Sequence, residues 1–166
     1  MRVLIAGVGN VLRGDDGFGI EVLQRLQREP PAEGVQFFES GIAGISLVQE
    51  LMDGYDALVI IDALDRGAEP GRVFVLQPDQ ASLSTKRMQN ESTDLHQADP
   101  EAVLQMAHAM KVLPERIWIV GCQAVGCDDL GAPLSEAVAN AVPTAVQRVR
   151  EIVAGLTSER ICHAAT

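Results

Sequence analysis

The sequence has few basic residues, few cysteines and no long apolar run. It holds 13 Lys and Arg against 23 Asp and Glu, for a formal net charge of −10. Nucleic acids and anionic membranes are bound through basic patches, so this balance disfavours both as partners.

No stretch approaches the roughly 20 apolar residues of a transmembrane helix. Met1 and Arg2 lead directly into a strand-like segment, so we expect no signal peptide. Three cysteines, an odd and low number, favour a reduced, cytoplasmic protein over a disulfide framework.

Strand-like and helix-like segments alternate along the chain. This order predicts a doubly wound α/β fold, in which helices sandwich a mostly parallel sheet. We expect one α/β domain over residues 1–153 and a C-terminal tail over 154–166. Ligands bind such sheets beyond the carboxyl ends of the strands, so the loops at 7–17, 39–44 and 62–67 matter most. The predicted strands are 3–6, 35–38, 57–61, 72–76 and 117–120, and the predicted helices are 17–28, 45–52, 100–110 and 134–153.

The first loop, GVGNVLRGDDGFG at 7–19, begins like a dinucleotide fingerprint. The third glycine of G-x-G-x-x-G is replaced by Leu12, however. Asp15 and Asp16 also lie where a helix N-terminus would receive a phosphate, and they would repel it. A nucleotide-binding module is therefore disfavoured. Two interpretations of the acid pair stay open: the acids, Asp15 above all, cap the helix that begins near residue 17, or Asp16 faces a cation or a polarised proton.

A second acid and a histidine extend the cation interpretation. Asp62 follows the strand ALVII and should meet the first loop at the same sheet edge, although an Asp there can simply form a turn. His96 lies in a long polar segment, where a histidine is often only solvated. Together with Asp16 they offer oxygen and nitrogen donors for a borderline divalent ion. The sequence has no HExxH and no paired CxxC, so a permanent zinc site is not indicated.

MRVLIAGVGNVLRGDDGFG, the later ALVIIDA and a loop histidine strongly resemble the hydrogenase maturation endopeptidases, over residues 1–153. The resemblance implies removal of a C-terminal peptide from the large-subunit precursor of a nickel–iron hydrogenase. It also implies that Asp16, Asp62 and His96 are metal ligands and catalytic residues, and that the substrate carries the nickel. Relatives often have Glu at the position of Asp16, and G-[IV]-[EQ]-P where this chain reads GCQAVGC.

The resemblance leaves the chemistry of cleavage open. The nickel could polarise the scissile carbonyl or activate a water, and Asp16 or Asp62 could serve as the base. Gly41 and Gly44, in SGIAG, either let the substrate backbone approach closely or only form a turn. One rival function is a cysteine peptidase with Cys122 as the nucleophile and His96 as the base. Another is a nickel-binding assembly factor that docks the same subunit without cutting it.

Overall fold

The computed structural model describes residues 1–42, 44–78, 100–126 and 130–163. The elements alternate as the sequence predicts. A short 3-10 turn at Gly14–Gly17 precedes the first α-helix. The strands are β1 (Val3–Val8), β2 (Val35–Gly41), β3 (Ala57–Leu64), β4 (Val73–Leu76) and β5 (Arg116–Gln123), and the helices are α1 (Phe18–Leu26), α2 (Gly44–Leu51), α3 (Pro100–Ala109) and α4 (Glu136–His163).

The strands form one sheet in the order β2-β1-β3-β5-β4. β1 runs parallel to β2 and β3, and β3 runs parallel to β5, whereas β4 is antiparallel to β5. The predicted doubly wound, mostly parallel α/β fold is therefore confirmed. Because β1, β2, β3 and β5 share one direction, their carboxyl ends meet at one edge of the sheet.

The hydrophobic core lies on both faces of the sheet. All six residues of β1 and the first six of β3 are buried, which explains their almost uninterrupted apolar sequences. Helices α1 and α4 cover one face, with Phe18, Leu23 and Val142 in its core cluster. Helices α2 and α3 cover the other face, with Leu47 and Leu104 in the second cluster. Each fully buried large side chain of this kind contributes about 1.5–3 kcal/mol to stability.

Helix α1 packs against the sheet edge at a distance that only the glycine in its first turn permits. A Cβ at Gly19 would overlap the carbonyl oxygens of Ile61 and Val8, which lie in β3 and β1. A Cβ at Gly7 would in turn lie 2.7 Å from the Gly19 oxygen. The close approach places the 3-10 turn, and the acids on it, directly beside the carboxyl ends of the two central strands.

Several element ends differ from the predictions by a few residues, and the ends of β3 and of α4 matter most. β3 continues to Leu64 because it pairs with β5 along its whole length, so Asp62 lies inside the strand and does not follow it. Helix α4 continues to His163, so the predicted helix end at 153 is too early, and the first part of the predicted tail is helical. Leu156 explains the continuation, since it is buried in the core beneath α4. No helix in the described ranges combines the length and apolarity needed to cross a membrane.

Candidate active site

Asp16 lies on the 3-10 turn between β1 and α1. Its Oδ2 accepts a hydrogen bond from the backbone N–H of Asn10 at 2.9 Å, and the Asn10 side chain accepts one from the Leu12 N–H at 2.9 Å. Burial raises the pKa of Asp16 above its ordinary value, while the Asn10 N–H and the charge of Arg13 act in the opposite direction. A cation beside this carboxylate would offset the cost of its desolvation.

The glycine turn of the first loop lets the backbone of Asp16 pack closely against Gly9, at the end of β1. Gly9 has φ of 121°, a value that other residues rarely adopt, and a Cβ there would overlap the Asp16 carbonyl oxygen. Its N–H donates to the Gly41 carbonyl at 3.1 Å, which joins the first loop to the end of β2. Where a nucleotide-binding loop would leave room for phosphate, this loop holds a carboxylate.

Asp62 lies in the buried part of β3, beside the first loop. It pairs with Gly121 of β5, and the preceding Ile61 pairs with Gly7 of β1. Its Oδ1 accepts a hydrogen bond from the N–H of Ala63 at 2.8 Å. The expectation that Asp62 and the first loop share one sheet edge is met by this placement.

His96 lies outside the described residues, so its position relative to Asp16 and Asp62 stays a prediction. Within the ranges that the structure describes, no three His, Cys, Asp or Glu side chains are grouped to hold a metal ion. The two acids are thus two of three predicted ligands, and the catalytic and metal-binding roles of all three stay predictions.

Asp15 has a different role from its neighbour. It is buried, and its Oδ1 accepts a hydrogen bond from the Ser135 N–H at 2.6 Å. Its Oδ2 accepts from the Val125 N–H at 2.8 Å and from the Ser135 hydroxyl at 3.0 Å. Ser135 directly precedes α4, and its carbonyl accepts from the Ala139 N–H at 2.8 Å, as an N-cap does. Asp15 therefore fastens the 3-10 turn to the start of α4 and to the segment after β5.

This arrangement decides between the two interpretations of Asp15. Neither the 3-10 turn nor α1 has a side-chain cap, so the expectation that Asp15 caps the helix near residue 17 is wrong. Both of its oxygens are already bound to donors, so it is also poorly placed to share a cation with Asp16. Of these two neighbouring acids, Asp16 is therefore the one that we expect to face a cation.

Gln123 is a buried residue whose importance the sequence analysis missed. Its Oε1 accepts from the N–H groups of Arg66 and Ala68, at 2.8 and 3.2 Å, and its Nε2 donates to Asp65 at 3.1 Å. The bond from Gln123, followed by one from the Gly67 N–H, lowers the pKa of Asp65. In the GCQAVGC segment, this glutamine thus fixes the loop that follows β3. The signal available in the sequence was a polar residue at the end of the apolar run IWIVGCQ.

Gly41 and Gly44 lie at the end of β2 and the start of α2. Gly41 has φ of 57°, and a Cβ there would meet no atom within 4 Å. The turn therefore requires this glycine for its backbone conformation, while the space above it is open. A role for either glycine in binding substrate stays a prediction.

Cys122 is a poor nucleophile in this structure. It is fully buried in β5, and burial, with a further contribution from the charge of Asp15, raises the pKa of its thiol to about 11. The thiolate is the reactive form of cysteine, so this thiol stays protonated and inert near neutral pH. The cysteine peptidase alternative is disfavoured.

We expect Cys122→Ala to process its substrate at the wild-type rate and to lose about 1 kcal/mol of stability, because it removes one buried thiol and its weak hydrogen bond to the Gln123 carbonyl. Initial rates at matched folded concentration, with thermal unfolding as the fold control, measure both. Loss of processing in a folded Cys122→Ala protein would return the thiol to the mechanism.

Comparisons with known proteins show the family of the chain. The sequence model of the HycI family, described as hydrogenase maturation protease, matches residues 20–152, a range that includes Asp62 and begins shortly after Asp16. The hydrogenase expression/formation protein HupD of Rhizobium leguminosarum bv. viciae is 34% identical over 149 residues, which cover 88% of this chain and 71% of HupD.

Solved structures extend the likeness to the whole fold. The hydrogenase maturating endopeptidase HybD from E. coli is 25% identical with a TM-score of 0.75, and the match covers 96% of this chain and 94% of HybD. The hydrogenase 2 maturation peptidase of a Thaumarchaeota archaeon is 30% identical with a TM-score of 0.69, over 92% of this chain and 98% of its own. The chain therefore belongs to the hydrogenase maturation protease family and is an endopeptidase.

Proposed function

We propose that this endopeptidase removes the C-terminal peptide from the nickel-loaded large-subunit precursor of a nickel–iron hydrogenase. The observation that carries the proposal is the pair of acids at one sheet edge, Asp16 on the first turn and Asp62 in β3. Family membership supports the large-subunit precursor as the substrate. The low, odd cysteine count supports a cytoplasmic location.

The donor set suits nickel that the substrate brings. Two carboxylates and the imidazole of His96 are oxygen and nitrogen ligands, which borderline divalent ions accept. Without a thiolate, they offer a free metal ion only weak binding. Nickel already held by the precursor can instead dock against them, which ties cleavage to the presence of the metal.

Cleavage requires an activated water and a group that moves its proton. Nickel held at Asp16, Asp62 and His96 would polarise the scissile carbonyl or lower the pKa of a bound water. A carboxylate oxygen of Asp16 or Asp62 takes the proton from the attacking water and returns it to the leaving amine. The raised pKa of Asp16 suits proton transfer, whereas coordination to the metal reduces its basicity.

Cleavage of a purified precursor tests the function. Nickel-loaded and nickel-free precursor are each incubated with the protein, and intact-mass spectrometry follows the large subunit. We expect one shortened product from the loaded precursor and none from the nickel-free form. No shortening of either form, with the precursor still bound by the protein, would contradict the proposed cleavage and favour a docking role in assembly. Equal cleavage of both forms would remove nickel from the mechanism.

Removal of metal from the enzyme alone should leave its activity intact. We expect protein dialysed against EDTA, then freed of chelator, to process nickel-loaded precursor at the rate of untreated protein, because the precursor supplies the metal. Elemental analysis before and after dialysis gives the bound metal, and a mock-dialysed sample is the control. A stoichiometric metal that survives dialysis would show that the enzyme holds its own ion.

A further inference from the structure

Large apolar side chains are exposed on the loops beside Asp16. Val11 and Leu12, between β1 and the 3-10 turn, are 56% and 60% exposed. Val125 and Leu130, between β5 and α4, are 62% and 82% exposed. We call these four residues the apolar rim. Single exposed apolar residues are ordinary on protein surfaces, but contiguous ones mark interaction sites. Whether the four residues of the rim lie next to one another therefore decides whether they indicate a binding surface.

Backbone contacts join the two halves of the apolar rim. The Gly131 N–H donates to the Leu12 carbonyl at 2.7 Å, which brings Leu130 beside the first loop. The Val125 N–H donates to Asp15 at 2.8 Å, one residue from Asp16. These bonds hold both loops of the rim beside the 3-10 turn that carries Asp16.

A cleft of about 360 Å³ continues the apolar rim between α1 and the start of α4. Val11 belongs to both the rim and the cleft, and Leu134 and Val142 add further apolar lining. Glu21 and Arg25 also line it, and they are ion-paired at 3.3 Å. A cleft of this size and character fits one large apolar side chain whose backbone passes over the rim.

We propose that the apolar rim docks an apolar segment of the precursor beside the scissile bond, with one large side chain in the cleft. The proposal rests on the proposed function, because the precursor is the occupant. A peptide bond positioned at Asp16 must pass close to the rim, since Val11 and Leu12 share the first loop with Asp16 and the loop of Val125 and Leu130 is hydrogen-bonded to that loop. A second copy of this chain is a poorer occupant, because two molecules of net charge −10 repel each other.

Charge substitution on the rim tests the docking surface. Leu12→Asp with Leu130→Asp places two carboxylates on it, and the matched control is Met52→Asp with Met110→Asp. These methionines are 60% and 48% exposed and follow α2 and α3, at the opposite edge of the sheet. We expect the rim variant to raise the KM for the precursor, and its Kd, by about tenfold or more while kcat holds, as loss of a docking anchor does. The control should match wild type.

The possible results distinguish failure of the docking proposal from failure of the proposed function. An unchanged KM and Kd in the folded rim variant would overturn the docking proposal and leave the proposed function standing. Failure of wild type to cleave any precursor would overturn the proposed function, and precursor binding by the two variants would still decide the docking site. A wild-type dimer in sedimentation that the rim variant dissociates, with precursor affinity unchanged, would assign the surface to a second copy and overturn the proposal.

Discussion

Asp16→Ala, Asp62→Ala and His96→Ala should each lose precursor processing by more than about 100-fold while the chain stays folded. Loss of a residue that only orients a metal ligand already costs about 10–100-fold, so loss of a direct ligand should cost more. Asp16 and Asp62 lie together at the carboxyl edge of the sheet, where each contributes one of the predicted donors.

Processing rates and folding must be measured on the same preparations. Initial rates by intact-mass spectrometry give kcat/KM, and circular dichroism with thermal unfolding checks the fold. Glu33→Ala is the matched control, because it removes an exposed acid that precedes β2 at the opposite edge of the sheet. Wild-type rates from all three ligand variants would end the cation-site interpretation.

Gly19→Ala should destabilise the protein by about 3 kcal/mol or more, at the upper end of overpacking effects. The added Cβ would overlap two backbone carbonyl oxygens, those of Ile61 and Val8, and would lie 2.9 Å from the Val8 nitrogen. Backbone atoms cannot turn aside as a flexible side chain can, so α1 must move away from the sheet. Denaturant unfolding gives the free energy of unfolding, and the Tm should fall by roughly 6–12 °C.

Gly155→Ala is the matched control for that substitution. Gly155 lies within α4, and a Cβ there would meet no atom within 4 Å. The same chemical change should therefore stabilise the protein by up to about 1 kcal/mol, through helix propensity alone. A Gly19→Ala protein as stable as wild type would contradict the close packing of α1 on the strand ends.

Local sequence patterns were enough to predict the frame of the site. Buried parallel strands read as short apolar runs, and alternation with helices sets their carboxyl ends together. This is why the shared edge of Asp16 and Asp62 could be predicted without a structure. The end of β3 could not be predicted as well, because its last residues, through Leu64, are held in the strand by pairing with β5.

The role of Asp15 could not be derived from spacing. Its hydrogen-bond partners, Val125 and Ser135, lie 110 and 120 residues further along the chain. An acid beside a helix start predicts a cap for that helix, and here it fixes the start of another one. Gln123 was missed for a similar reason, since the loop it holds is 55 to 58 residues away. Long-range contacts of buried polar groups leave no periodic signal.

We expect Asp16 to take part in catalysis and Asp15 to stabilise the structure around it. The most direct test compares Asp16→Asn with Asp15→Asn, at matched folded concentration, for processing rate and Tm. We predict that Asp16→Asn loses most processing with Tm near wild type, because amide replaces the charge that a cation needs. Asp15→Asn places an NH2 group opposite a buried hydrogen-bond donor, which costs about 1–3 kcal/mol of stability and lowers the Tm by roughly 2–12 °C. We expect this variant to keep more processing activity than Asp16→Asn. An active Asp16→Asn beside a folded but inactive Asp15→Asn would contradict the account.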